Sequence, residues 1–81
     1  MKAKIYIMPK KAVLDPQGKA IENSLQHLGF EGIGAVRQGK LIEMQLNITD
    51  EAKARMMLKD MCEKLLANTI VEDYSFVLEK I

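Results

Sequence analysis

One histidine, one cysteine, three closely spaced glycines and two cations flanking a Gln-Gly pair are the residues of this 81-residue chain whose types could do chemistry. His27 lies beside the apolar stripe of a helical segment and has no second ligand type near it in sequence. It therefore reads as a surface residue rather than a catalytic base or metal ligand. Cys62 falls within an apolar stripe, where a small hydrophobe is expected; a nucleophilic thiol needs exposure and a basic neighbour. The six methionines sit mostly at core spacing and fill gaps better than they would form a metal cluster. Gly29, Gly32 and Gly34 form G-x-x-G-x-G between a helix and a strand. A dinucleotide fingerprint has the reverse spacing and lies between a strand and a helix, so a helix cap followed by a tight entry to a hairpin is the better reading. Arg37 and Lys40, at the tip of the hairpin predicted around Gln38-Gly39, can grip a phosphate or a carboxylate, or can be the charges of a solvated turn. No P-loop, H-E-x-x-H or nucleophile elbow occurs in the sequence.

The elements that must position these groups follow from periodicity. Lys2–Met8 alternates, with Ala3, Ile5 and Ile7 on one side and Lys2, Lys4, Tyr6 and Met8 on the other, as in a strand with one buried face. Pro9 lacks an amide donor and ends it. Asp15-Pro16 predicts a helix start: the carboxylate caps free amides and proline at the first position sacrifices no bond. Ala20, Ile21, Ser24, Leu25 and Leu28 share one face of the helix predicted over 16–28, and Gly29 suits a left-handed cap with Phe30 folding back. Ile33–Gln38 and Leu41–Ile48 flank Gln38-Gly39 and predict a hairpin, its glycine at positive φ. Thr49 is placed to cap a second helix, in which Ala54, Met57, Leu58, Met61, Cys62, Leu65 and Leu66 recur at three- and four-residue steps, with Asn68 as C-cap. Asp73–Leu78 alternates again. The order β-α-β-β-α-β predicts an α+β, ferredoxin-like two-layer sandwich: one domain over 1–81, with two helices on one face of a four-stranded antiparallel sheet.

Composition narrows the function. Twelve Lys and Arg against eleven Asp and Glu give a net charge of +1, which argues against a nucleic-acid binder. No apolar run approaches the roughly 20 residues that span a bilayer, and no signal peptide is visible; with one cysteine, this points to the cytoplasm. RNA-recognition versions of the fold need aromatics on the central strands of the open face, where this chain offers Glu43 and Gln45. The metal-carrier and acylphosphatase versions need a paired-cysteine or arginine-bearing loop after the first strand, where this chain has Pro9-Lys10-Lys11. The outward sheet face includes Tyr6, Met8, Leu41, Glu43 and Val77, more apolar than a solvated face requires. It reads either as scattered surface hydrophobes or as a protein–protein surface, and a thin core favours the latter.

Several stretches jointly resemble the PurS family, the small subunits of the three-part formylglycinamide ribonucleotide amidotransferase. They are 13–20 (VLDPQGKA), 28–30 (LGF), 36–43 (VRQGKLIE), 62–68 (CEKLLAN) and 71–74 (VEDY), and they run the length of the chain. Met8-Pro9-Lys10-Lys11-Ala12 departs from the family, which more often shows Lys-Pro-Gly there. The resemblance implies a non-catalytic subunit that bridges a glutaminase subunit and a large synthetase subunit and assists ammonia transfer. It implies association with itself as a dimer or higher even oligomer. ATP and magnesium would belong to the large subunit, with no cofactor in this chain. Tyr6, Met8, Arg37, Lys40, Leu41, Glu43 and Val77 are the candidate interface residues. The alternative is a stand-alone regulatory module of the same topology that binds a small molecule between paired sheets.

Overall fold

Alternation in Lys2–Pro9 produces the central strand β1, whose Ala3, Ile5 and Ile7 are completely buried. The computed structural model describes residues 1–80. On either side of β1 lie β2 (Lys40–Gln45) and β3 (Glu72–Glu79), both antiparallel to it, in the order β2-β1-β3. The register sets Ile5 opposite both Ile42 and Phe76, and Ala3 opposite both Met44 and Leu78, so the apolar sets of the three strands share one face.

Helix α2 (Glu51–Met61) covers that face with Ala54 and Leu58, and a π-turn at Cys62–Leu66 continues it. Its cap is Asp50, whose carboxylate accepts from the Lys53 amide at 3.3 Å, one residue beyond the predicted Thr49. The π-turn alters the phase of the stripe. The Ala67 amide donates to the Cys62 carbonyl five residues back, which buries Cys62 and Ala67 and turns Leu65 into solvent. Strict helical periodicity predicts Leu65 in the core, and the π-turn is the reason it is exposed. At the chain start the Met1 ammonium donates to the Leu46 carbonyl and the Leu46 amide to the Met1 carbonyl, tying Leu46 into the core beyond the end of β2.

Two expectations are corrected here. The sheet has three strands, not four: Ile33–Gln38 has no regular secondary structure and pairs with no strand, so there is no hairpin at Gln38-Gly39. Gly39 is not at positive φ. Its role is close approach, since a Cβ there would lie 2.3 Å from the Ile7 carbonyl oxygen. The chain crosses the end of β1 at this point instead of turning back. The second correction concerns α1 (Pro16–His27), which does not lie on the sheet; of its residues only Gly18 is buried. The predicted cap is otherwise present, with Gly29 at φ 91° and the Phe30 amide donating to the Leu25 carbonyl at 3.2 Å.

Residues 16–38 therefore form an arm that leaves the body and returns to it. The Cα radius of gyration is 16.1 Å, against about 12 Å for a compact chain of this length. The observed strand order is the ferredoxin-like order with its outermost strand, the one beside β2, left vacant.

Candidate interaction surface

The arm presents an apolar face with no counterpart in its own chain. Ile21, Leu28 and Phe30 are exposed to 39%, 74% and 57%, and Leu25 is half-buried. Opposite this excess is a deficit on the body. Ile42, Met44, Tyr74, Phe76 and Leu78 point toward α2, yet each is only partly covered, because one helix cannot cover three strands. A free strand-length segment, a free apolar helix face, a vacant sheet edge and a half-covered sheet face occur together.

One joint holds both ends of the arm. The Asp15 carboxylate accepts from the Gly18 amide at 2.9 Å, capping α1, and its other oxygen accepts from the Gln38 amide at 2.8 Å. These two bonds, the Gly18 one first, hold the Asp15 carboxyl below the usual carboxylate range. Gly18 permits the contact, because a Cβ there would lie 2.3 Å from the Val36 carbonyl oxygen. Sequence reading recognised Asp15 only as a cap. The signal for the rest was the glycine three residues after Asp15 and a second glycine directly after Gln38.

The second surface is the sheet face away from α2. Register places Tyr6 beside Leu41 and Ser75, and Lys4 beside Glu43 and Val77, so five of the candidates, Tyr6, Met8, Leu41, Glu43 and Val77, share this face. Tyr6, Leu41 and Val77 are exposed, and the ion pairs Lys2–Glu43 at 3.4 Å and Lys4–Glu79 at 3.3 Å frame them. Glu79 raises the Lys4 pKa by hydrogen bonding and charge. Arg37 and Lys40 do not join this group. Without a hairpin they occupy no tip: Arg37 is exposed on the returning arm, and Lys40 lies opposite Ile7 and pairs with Glu72 at 3.6 Å.

The groups singled out for catalysis are dispersed. The His27 Nδ1 lies 2.7 Å from the Asn23 carbonyl on the outer arm, which a ring N–H there satisfies. Cys62 is fully buried, and that burial pushes its thiol pKa up, away from the thiolate a nucleophile needs. Among the described residues no group of three or more His, Cys, Asp or Glu side chains is placed to hold a metal ion. The surface depressions are shallow, and the one between Lys53, Met56, Met57 and Asp60 lies on the outer side of α2.

Comparison with known proteins decides the family. The profile described as PurS, phosphoribosylformylglycinamidine (FGAM) synthase, matches residues 2–80. The chain belongs to the PurS family. The phosphoribosylformylglycinamidine synthase subunit PurS of Synechocystis sp. is 48% identical over 73 residues, which cover 90% of this chain and 73% of that one. The crystal structure of PurS from Methanocaldococcus jannaschii, one of the subunits of formylglycinamide ribonucleotide amidotransferase, superposes with a TM-score of 0.88 at 39% identity, over 99% of this chain and 96% of that one. PurLQS from Thermotoga maritima contains a similar chain, with TM-score 0.86, 32% identity and coverage of 94% and 93%. Agreement over nearly the full length includes the arm, so the projecting α1 is a feature shared with other PurS-family chains. As a PurS-family chain this protein is a subunit of FGAM synthase, an enzyme of purine biosynthesis.

Proposed function

We propose that this PurS-family chain is the non-catalytic bridging subunit of its synthase, acting as a dimer built by exchange of the arm. The observation that carries this is surface in excess. The chain exposes 6,030 Å², whereas a compact protein of its mass exposes about 4,900 Å². The difference, about 1,100 Å² per chain, is of the size that each partner contributes to a stable interface, about 800 Å² or more. A second copy supplies what each copy lacks: its segment 31–38 fits the vacant edge beside β2, and its α1 fits the half-covered side of the sheet. The exchange is reciprocal, so it closes on a two-fold axis. Stacking of open faces through Tyr6, Leu41 and Val77 then joins two dimers, giving a higher even oligomer.

A rigid dimer with two identical sides is suited to hold a glutaminase subunit and a large synthetase subunit in fixed relation. Ammonia released into water would be protonated and lost, so a bridge that keeps the two sites in register, and assists ammonia transfer, has a physical purpose. ATP, magnesium and the ribonucleotide belong to the large subunit. No helix among the described residues is long and apolar enough to cross a membrane, and the proposed site of action is the cytoplasm.

The test is reconstitution. The isolated chain is expected to show no glutaminase, ATPase or synthetase activity, to scatter light as a dimer or tetramer, and to co-elute with the two larger subunits. Glutamine-dependent turnover should require it, and turnover with free ammonia should require it less. A monomer that fails to co-elute, or glutamine hydrolysis by the pure chain that survives Cys62→Ala, would overturn the reading.

A further inference from the structure

The sequence predicts a closed four-stranded fold, and the chain adopts an open one. Something must keep the arm from folding back onto its own half-covered sheet, which offers the same apolar residues, Ile42, Met44 and Phe76, that a second copy would offer. We propose that the Asp15–Gly18–Gly39 joint is the device that holds the arm open, so that Asp15 decides between a self-closed monomer and the exchanged dimer. The inference rests on the dimer reading above and goes beyond it, because it names what selects that dimer.

Three features of the joint support the assignment. Asp15 uses its two carboxylate oxygens on two distant amides: that of Gly18, 3 residues on, and that of Gln38, 23 residues on at the far end of the arm. An ordinary cap needs only the first of these bonds. Gly18 brings the first turn of α1 against the Val36 carbonyl, and Gly39 brings the returning chain against the Ile7 carbonyl, where side chains would have no room. The arm is thus clamped to itself at its base and pressed against the end of β1. Closing it would require both ends to swing, since in exchanged dimers the hinge sets which copy receives the element. Charge strengthens the clamp: an amide bond to a carboxylate is stronger than one to a neutral acceptor.

The experiment separates capping from clamping. Asn caps helices as well as Asp does, but it puts an NH2 donor where Asp has its second oxygen, so the two amides that Asp15 holds on separate oxygens cannot both keep their acceptor in place. Asp15→Asn should keep the far-ultraviolet circular dichroism of the full chain, accelerate hydrogen exchange at the Gln38 amide at least about tenfold and raise the dimer dissociation constant by about tenfold or more, the scale of one hydrogen bond to a charged group. Gly18→Ala is the second variant. It favours the helix yet forces the segment at Val36 away, and it should shift the same two readouts. Unaccelerated Gln38 exchange in both variants would overturn the joint itself. Accelerated exchange with a dissociation constant within twofold of the unaltered chain would overturn its control of assembly. A chain that is monomeric without any substitution would instead overturn the dimer reading, and the Gln38 measurement would then still decide whether the joint exists.

Discussion

The body and the arm obey the same amphipathic rules but reach opposite outcomes. Every buried apolar residue, from Ala3 to Ala67, belongs to β1, to α2 with its π-turn, or to the residue directly after β2 or after the π-turn. The arm has a helix of comparable length, capped at both ends and carrying a regular apolar face, and it buries only a glycine. A well-formed helix is thus no evidence that its apolar face is buried in the same chain. What distinguishes the two regions is attachment: α2 lies directly over the sheet, while α1 is fixed at its base to its own returning segment at Gln38.

The sharpest way to test this contrast is to remove core volume. Leu58 is fully buried under the sheet, and Leu58→Ala should destabilise the fold by about 2–5 kcal/mol, enough to unfold much of a small domain. Leu28→Ala, on the exposed arm, should leave melting at high dilution within about 0.5 kcal/mol. Thermal denaturation followed by circular dichroism measures both, and equal losses would erase the distinction between body and arm.

A second intervention acts on the arm alone. Ile21→Asp with Leu25→Asp places two charges on the face assigned to the second copy. The body should stay folded while association weakens by about a hundredfold or more, because charges buried at an interface without partners are heavily penalised. Sedimentation velocity should show monomers at concentrations where the unaltered chain is dimeric. A persistent dimer would move the interface to the open face of Tyr6, Leu41 and Val77.

Acid should act on the joint before the core. Asp15 titrates below the usual carboxylate range because the Gly18 and Gln38 amides favour its charged form. A depressed folded-state pKa gives a contribution that is complete above the ordinary value of about 3.9 and is lost as pH falls through the lower, folded value. The Gln38 amide resonance should therefore shift below about pH 4, with loss of dimer, while β1 amides stay protected from exchange. In Asp15→Asn the Gln38 shift should be absent. A Gln38 resonance that follows the same titration in that variant would assign the effect to another carboxylate.

How much of this was legible in the sequence differs between the regions for a physical reason. The inward sets of β1 and β3, the α1 boundaries and the buried Cys62 follow from periods of two and 3.6, which are local. The π-turn escaped because nothing in Cys62–Leu66 marks an i→i+5 bond, and it took Leu65 out of the core. The missing fourth strand escaped for a different cause. Ile33–Gln38 has the residue pattern of a strand and forms none, because whether such a segment pairs within its own chain depends on the path of the chain at Gly39. Only the crowding against Ile7 reveals that path. The open-face candidates were legible as a set because alternation alone puts Tyr6 and Met8 on one side of β1. Arg37 and Lys40 were misplaced because their position depended on the hairpin.

The smallest effect expected is that of these two cations. Both are exposed, so Arg37→Glu with Lys40→Glu should change stability by no more than about 0.5 kcal/mol, apart from the Lys40–Glu72 pair, a surface contact of little weight. They stand at the base of the arm and not at a hairpin tip. They flank the point where arm meets body, close to the Asp15 joint, so they can report on assembly without taking part in the core. If they contact an acidic surface of the synthetase subunit, charge reversal should slow association, make it less sensitive to salt and lower glutamine-dependent turnover, because exposed charges act mainly on encounter rate and register. Turnover with added ammonia should fall less, since that chemistry belongs to the large subunit. Association kinetics at two salt concentrations measure this directly. Unchanged rates and unchanged glutamine-dependent turnover would leave Arg37 and Lys40 as solvated charges at the base of the arm, and the joint would then owe its hold to Asp15 and the two glycines alone.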